Sequence, residues 1–499
     1  MLKQLLKTKS LDAIMQEGEK PQHQLKRALG AFDVVMLGIG AIIGAGIFAT
    51  IGTAAAGDAA RLGAGPALML SFALTAIACG FAALCYAEFA AMVPISGSAY
   101  TYSYATLGEF VAWIIGWDLI IEYAVGNVAV AISWANYFKT LIAGFGLYVP
   151  NWLSTDYRTA MKIPGLIEGA PHVFGIPIIF NILAIGIVAL VTTVLVIGIR
   201  KSATVNTMMV VLKLVVLGFF VFVGVNYVKP ENWKPFAPNG WEGVQAGAAV
   251  VFFAYIGFDA VSTVAEEVRN PKKDLPIGII GSLIVCTVIY IIVAAVFTGI
   301  VPYAALVTML ATQQAEPLTL ALNYANIEHW GNLSVGIVAF GSVVAHTAVL
   351  VVFGLGQPRI FFSMARDGLL PQSFARVHPT FRTPYVTTIF TGAAVGICSM
   401  FTSIDEMVDL TNIGTLFAFV LVCAGILILR KRDPLRPRGF RTPWVPAIPV
   451  LGMVCCTYLM LGLPWITWVR FGGWLLLGMA IYFLYGFKKS RLRNELSPS

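Results

Sequence analysis

Charge is what this sequence has least of. Only 12% of its 499 residues are Asp, Glu, Lys or Arg, against roughly 25% in a soluble domain. So few charges cannot cover a soluble surface on a chain that is 58% hydrophobic. Enzyme signatures are also missing. There is no His-Glu-x-x-His, no Gly-x-Ser-x-Gly elbow, no P-loop and no Gly-Lys pair, which disfavours a membrane enzyme and any ATP-driven pump without a partner subunit to supply the energy. The seven cysteines all lie in apolar runs and form no Cys-x-x-Cys pair, so they read as packing residues, and no metal or cofactor is expected.

What the chain has instead is long apolar runs. Twelve candidate spans lie near 31–54, 66–91, 107–145, 174–199, 203–227, 243–267, 276–300, 331–362, 384–402, 408–430, 444–464 and 471–487, each able to cross a bilayer as a helix. They are numbered 1 to 12 below. Spans 3 and 8 are too long for one straight crossing and are expected to tilt, kink or project. Twelve crossings put both termini on one side. Placing them in the cytoplasm leaves about 25 of the 33 basic residues inside and about 7 outside, with Lys213 alone within a span, the bias of the positive-inside rule. The net charge of +8 is thus topology rather than nucleic-acid affinity. The opening 20 residues lack the apolar core of a secretory leader. Leu2, Leu5, Leu6, Leu11, Ile14 and Met15 recur at helical spacing, which predicts a short interfacial helix within a cytoplasmic segment 1–30. The tail 488–499 is basic and expected to be cytoplasmic and mobile.

Glycines interrupt two of the spans. Span 1 carries "GIGAIIGAGIF" from Gly38 to Phe48, and span 6 carries Gly257 and Asp259 in "VVFFAYIGFDAVST". Five spans separate equivalent points, so the two halves are inverted, and paired interruptions in inverted halves point to a transporter binding site. Close helix packing through Gly40-x-x-x-Gly44 is the plainer alternative. A break frees backbone amides at the positive end of the following half-helix, which suits a carboxylate. Gly44 and Gly46 permit the unusual dihedrals and close approach this needs. Exposed carbonyls and Phe253 at the span 6 break suit an ammonium group. The two together describe a free amino acid.

The long motifs "GIGAIIGAGIF", "YAEFAAMVPISGSAYTYSYATLGEFVAWIIGWDLIIEYAVG", "FFAYIGFDAVSTVAEEVRNPKKDLPIGII" and "ARDGLLP" resemble the amino acid–polyamine–organocation transporter superfamily, most of all its cationic amino acid transporter branch. The resemblance covers nearly the whole chain. It implies an all-α fold of about twelve membrane helices: a first inverted repeat over 31–227, a second over 243–430, and two extra helices over 444–487. It also implies alternating access, a bacterial plasma (inner) membrane, and the possibility of a small single-span partner. By resemblance the substrate carboxylate falls to Gly44, Ala45 and Gly46, next to Ile42 and Ile43, and the amino group to backbone at Ile42, Phe253, Ala254 and Ile256. Phe253 matches the aromatic gate. Many relatives have Ser or Thr where this chain has Ala45.

Isolated ionisable groups in a membrane are functional candidates by default. Lys213 follows the five apolar residues Met208–Leu212 and precedes a longer apolar run, which places it inside a span and makes snorkelling a weak reading. In sodium-independent relatives a lysine on the fifth helix resembles a substitute for the sodium ion between helices 1 and 8, and Lys213 matches it. Asp259 can meet a cationic substrate side chain or pair with a neighbouring helix. Glu122 is a candidate for the substrate cavity, the proton path or structural pairing. His346 suits proton relay, though a lone histidine in a span is more often a satisfied packing residue, so relay is the secondary reading. Phe353 matches a residue bordering the side-chain pocket, or simply packs. The expectation is a secondary active carrier of free L-amino acids, most plausibly driven by protons, with facilitated exchange as the alternative. A channel or a non-transporting receptor is the different-class alternative; a channel usually repeats its filter about an axis.

Overall fold

The computed structural model describes residues 7–9, 27–92, 98–198, 203–312, 316–326 and 331–494. Among them nine helices are long and apolar enough to cross a membrane: Ala31–Ala56, Gly65–Met92, Glu109–Ala143, Thr207–Tyr227, Gly240–Ser262, Pro271–Ile300, Asn332–Arg366, Ile404–Arg432 and Trp465–Lys489. Three apolar helices of 10–17 residues, Ile182–Ile197, Tyr385–Phe401 and Ala447–Leu461, fall on spans 4, 9 and 11. By length and composition nine segments therefore qualify as spans rather than twelve. The chain is an integral membrane protein built almost wholly of helices. Its β-structure among the described residues is two short hairpins, at 57–62 and 172–177, and a single bridge between Leu29 and Val268.

The two overlong spans differ in how they use their length. Span 3 runs Glu109–Ile120, then a π-helical turn at Ile121–Val125, then Gly126–Ala143. A π turn is a known cause of helix kinking, and this one carries Glu122. Span 8 runs Gly331–Arg366 with Pro358 inside, about 54 Å of helix, well beyond a hydrocarbon core of about 30 Å.

Span 7 packs on spans 1 and 2, span 8 on spans 3 and 5, and span 10 on span 11. The membrane faces are tied by buried polar contacts. Glu88 accepts from Arg430 Nε and Nη2 at 2.8 Å each and from the Thr442 amide at 2.8 Å, with Arg438 Nε 3.0 Å away. Glu109 accepts from the hydroxyls of Tyr104 and Tyr482 at 3.0 Å and from Ser490. At the opposite end Arg61 forms a two-pronged pair with Asp409 at 2.6 and 2.8 Å.

The interfacial helix expected over Leu2–Met15 lies mostly outside the described residues. Residues 7–9 are not helical; they bond along the N-terminal face, Lys9 N to Tyr104 O at 3.1 Å and Glu109 N to Lys7 O at 3.0 Å. The tail lies within the described residues as far as Asn494. Short helices at Phe487–Lys489 and Arg491–Asn494 lie against the body, with Arg491 N donating to Asp367 O at 3.1 Å.

Candidate functional site

Regular α-helix in span 1 ends at Ile42. Ile43 is extended (φ −73°, ψ 104°), and the chain resumes as a π-helical turn, Gly46–Thr50, before Ile51–Ala56. In span 6 the α-helix ends at Val251 and passes through a 3₁₀ turn, Phe252–Ala254, and a bend at Gly257 into a 3₁₀ segment, Asp259–Glu267. The two interruptions touch. A Cβ built on Gly46 would lie 2.1 Å from the Ala254 Cα, and one on Gly257 would lie 2.7 Å from the Ala41 carbonyl oxygen. Gly257 also adopts φ +117°, which only glycine does at little cost. The demand at Gly46 is close approach rather than an unusual dihedral, and it is an absolute one, since any side chain would overlap backbone. Gly44 instead packs on Val349 of span 8.

Breaking a helix orphans its carbonyls, and an unpaired carbonyl in a membrane is costly. Several carbonyls at the two breaks have a named donor. Lys213 Nζ donates to Gly40 O at 2.7 Å and Ile43 O at 2.9 Å, a positive group at the negative end of a half-helix. The Tyr290 hydroxyl lies 3.1 Å from Ile42 O and 2.9 Å from Ala254 O, within reach of both breaks at once. Tyr137 donates to Phe48 O at 2.6 Å. Asn412 Nδ2 donates to Ala249 O at 2.7 Å, and Thr75 to Ala248 O at 2.9 Å. Tyr290 and Asn412 were not singled out from the sequence. A tyrosine in an apolar run looks like packing, and only the fold reveals which carbonyls need it.

The remaining candidates divide in two. Ile42, Ile43, Ala45, Phe253, Ala254 and Ile256 are all buried beside the contact of Gly46 with Ala254. Phe353, one helical turn beyond Val349, is buried edge-to-face on Tyr123 at 5.5 Å. Lys213 is fully buried with Cys286 of span 7 and His346 of span 8 as its electrostatic neighbours. His346 donates from Nδ1 to Ser342 O at 2.7 Å. A carbonyl only accepts, so Nε2 is left to accept from the Ser133 hydroxyl at 2.8 Å. Both ring nitrogens are therefore satisfied, and the ring packs on Phe48 and Tyr137 at 5.9 and 5.6 Å.

The second group is acidic. Asp259 and Glu122 are buried electrostatic neighbours, and Asp118 joins Glu122 one turn earlier on span 3. None of their six carboxylate oxygens makes a well-formed hydrogen bond among the described residues, though Asp259 and Glu122 approach each other, Asp259 approaches the backbone about Gly257 and Ala260, and Glu122 approaches Thr415; the hydroxyls of Tyr86 and Thr415, which share these surroundings, also lack a well-formed bond. Buried polar atoms are nearly always paired, so three such acids together are exceptional. Asp118 was missed in the sequence, although its i, i+4 spacing to Glu122 puts the two on one face. Glu316 lies outside the spans, at the start of the Pro317–Tyr324 helix. It accepts from the Thr140 hydroxyl at 2.9 Å, and burial pushes its carboxyl up to about 7, against the opposing pull of that bond and of Lys139. No cluster of His, Cys, Asp and Glu fit to hold a metal occurs among the described residues.

Known proteins match this chain along its length. A family model described as "Amino acid permease" matches residues 29–484. A branched-chain amino acid permease, BcaP, of Bacillus subtilis is 47% identical over 96% of both chains. A methylthioribose transporter of the same organism is 42% identical over 98% of this chain and 99% of its own. A vacuolar cationic amino acid transporter 4 of Arabidopsis thaliana is 34% identical over 86% of this chain and 68% of its own. Together with the membrane-spanning helices, these matches make the chain a transporter rather than an enzyme, a member of the amino acid permease family.

Proposed function

We propose that this protein is a secondary active carrier of free L-amino acids, proton-coupled and working by alternating access. The observation that carries the reading is the meeting of two interrupted spans at Gly46 and Ala254, with Lys213 capping one of them. In this reading spans 1–5 (31–227) and 6–10 (243–430) form an inverted pair, with helices 11 and 12 (444–487) appended. Spans 4, 9 and 11 then cross as short or tilted helices. The termini face the cytoplasm of a bacterial cell, and the membrane is the plasma membrane.

The substrate carboxylate would take the amides of Gly44, Ala45 and Gly46, and the amino group the carbonyls about Ile42, Phe253 and Ala254. Lacking a hydroxyl at Ala45, the site would hold the carboxylate through backbone alone. Phe253 and Phe353 would then wall an apolar side chain. That suits a branched aliphatic substrate, as the name of the 47% identical relative suggests. Coupling would run through Lys213. An ammonium has three hydrogens and a neutral amine two, and two span 1 carbonyls accept from it, so both protonation states can hold span 1 while differing in charge. Glu122 is the acid through which a proton could leave, and His346 would join the path by a turn of the Ser133 hydroxyl. Sodium-independent exchange is the alternative coupling mode.

A second reading of the side-chain end rests on the buried acids: Asp259 and Glu122 would receive a cationic side chain. One experiment tests both. In proteoliposomes, a competition panel of the twenty amino acids is run with and without an imposed pH gradient. Best competition by leucine, isoleucine and valine, with uptake raised by an inward proton gradient, is expected. Best competition by arginine and lysine selects the second reading. Saturable exchange indifferent to the gradient removes proton coupling, and absence of accumulation of any amino acid removes the carrier.

A further inference from the structure

A groove opens on the membrane-facing side of span 7, near its first turns. It encloses about 440 Å³, and its lining includes Lys272, Lys273, Ile277, Ile280, Ile284 and Phe440. It lies at the same end as the N-terminal segment, since Ala28 and Leu29 donate to Glu267 O and Arg269 donates back to Leu29 O. Both lysines are exposed, and neither has an ion pair or a side-chain hydrogen bond described to it. The neighbouring ionisable groups are committed elsewhere. Asp274 is buried with its carboxylate turned to the Asn270 amide at 3.3 Å, and Arg438 faces Glu88. The loop after span 10 forms the other wall. It lies so close that a Cβ on Gly439 would be 2.5 Å from the Cβ of Lys272.

Residues 277, 280 and 284 stand at i, i+3 and i+7, one face of a helix. From Lys272 to Ile284 the rise is about 18 Å, close to one leaflet of a hydrocarbon core of about 30 Å. Ile277 and Ile284 are 43% and 58% exposed, so this face meets lipid. Apolar walls do not choose between lipids, because every tail offers the same chemistry. Headgroup charge does choose, and basic pockets at the ends of membrane helices favour anionic lipids. The groove therefore combines a wall that accepts any acyl chain with a mouth that selects the charge above it.

We infer that this groove binds a single anionic phospholipid, its phosphate between Lys272 and Lys273 and one acyl chain along Ile277, Ile280 and Ile284. The inference needs the protein in a membrane but not its transport mechanism. It is tested on the purified full chain exposed to an equal mixture of phosphatidylglycerol and phosphatidylcholine, with retained lipid counted by native mass spectrometry. The expected result is one retained phosphatidylglycerol, favoured roughly fivefold or more. The double variant Lys272→Gln, Lys273→Gln should bring the two lipids to parity. The double variant Lys488→Gln, Lys489→Gln, which removes the same exposed charge at the C-terminal helix, should leave the preference intact. An unmodified chain with no preference, or equal loss in both double variants, overturns the inference.

Discussion

Glu88 and Glu122 are the same residue type, and both are buried to within 1% of full exclusion. Glu88 has two arginines and a backbone amide on its carboxylate; Glu122 has no cation and no well-formed hydrogen bond among the described residues and lies beside two further acids. A buried ion pair costs stability when one member is lost, because the other is stranded. A buried acid with no cation opposite it strands no charge when it is removed, so its loss costs the fold little. The difference separates a tie between helices from a charge the fold does not use, the kind of group the proposed proton path requires.

The sharpest test of the first side is Glu88→Ala. It leaves Arg430 and Arg438 unpaired, and the expected loss is about 3–5 kcal/mol, read as a large fall in detergent Tm. Lys213→Ala is next. Two span 1 carbonyls lose their donor, and gradient-driven uptake should fall to background, while Lys213→Arg keeps the charge and part of the uptake. Unchanged uptake in Lys213→Ala would break the assignment. On the other side of the comparison, Glu122→Gln and Asp259→Asn should each shift stability by no more than about 1 kcal/mol, or raise it, while altering the pH profile or competition pattern of uptake. A collapse in Tm would mean that these acids are paired in the working protein and would erase the contrast.

The smallest effect concerns Glu316. Its carboxyl is raised to about 7 by burial, while an unfolded glutamate titrates near ~4.3. Between these values the folded chain holds a proton that the unfolded chain has released. The contribution is thus fully present below about pH 4.3, and it is lost as pH rises through about 7. Glu316→Gln should match the unmodified Tm at about pH 4.5 and exceed it by a few degrees at about pH 8. Parallel Tm curves across that range would show that Glu316 does not titrate there.

Much of the architecture was legible because a bilayer imposes one strong rule on sequence. Each apolar window became helix over most of its length, three of them shorter than a full crossing, and the glycine-bearing stretches of spans 1 and 6 lie at the two interruptions. Partnerships across the chain were not legible. Arg61 and Asp409 are 348 residues apart, and nothing local to either announces the other. The purpose of individual glycines was half legible. Gly46 and Gly257 are required by backbone contact, yet sequence could assign Gly46 only to flexibility or close approach, since its neighbour is fixed by tertiary structure. Glu122 stands out in the sequence as a lone charge, and its companion Asp118, four residues earlier on the same helix face, is part of the pattern only when charges are spaced along a helix as apolar residues are.

The contact between Gly46 and Ala254 also bears on how such a protein can change over generations. Where two backbones meet without intervening side chains, no substitution can enlarge, shrink or recharge the space between them. If the proposed site is the working one, a descendant of this chain would acquire a new preference from the walls around that contact, from Val349 and Phe353 on span 8 and from the acids and Tyr123 on span 3. A fixed centre with an adjustable rim would let closely similar sequences carry differently named cargo while keeping the same middle.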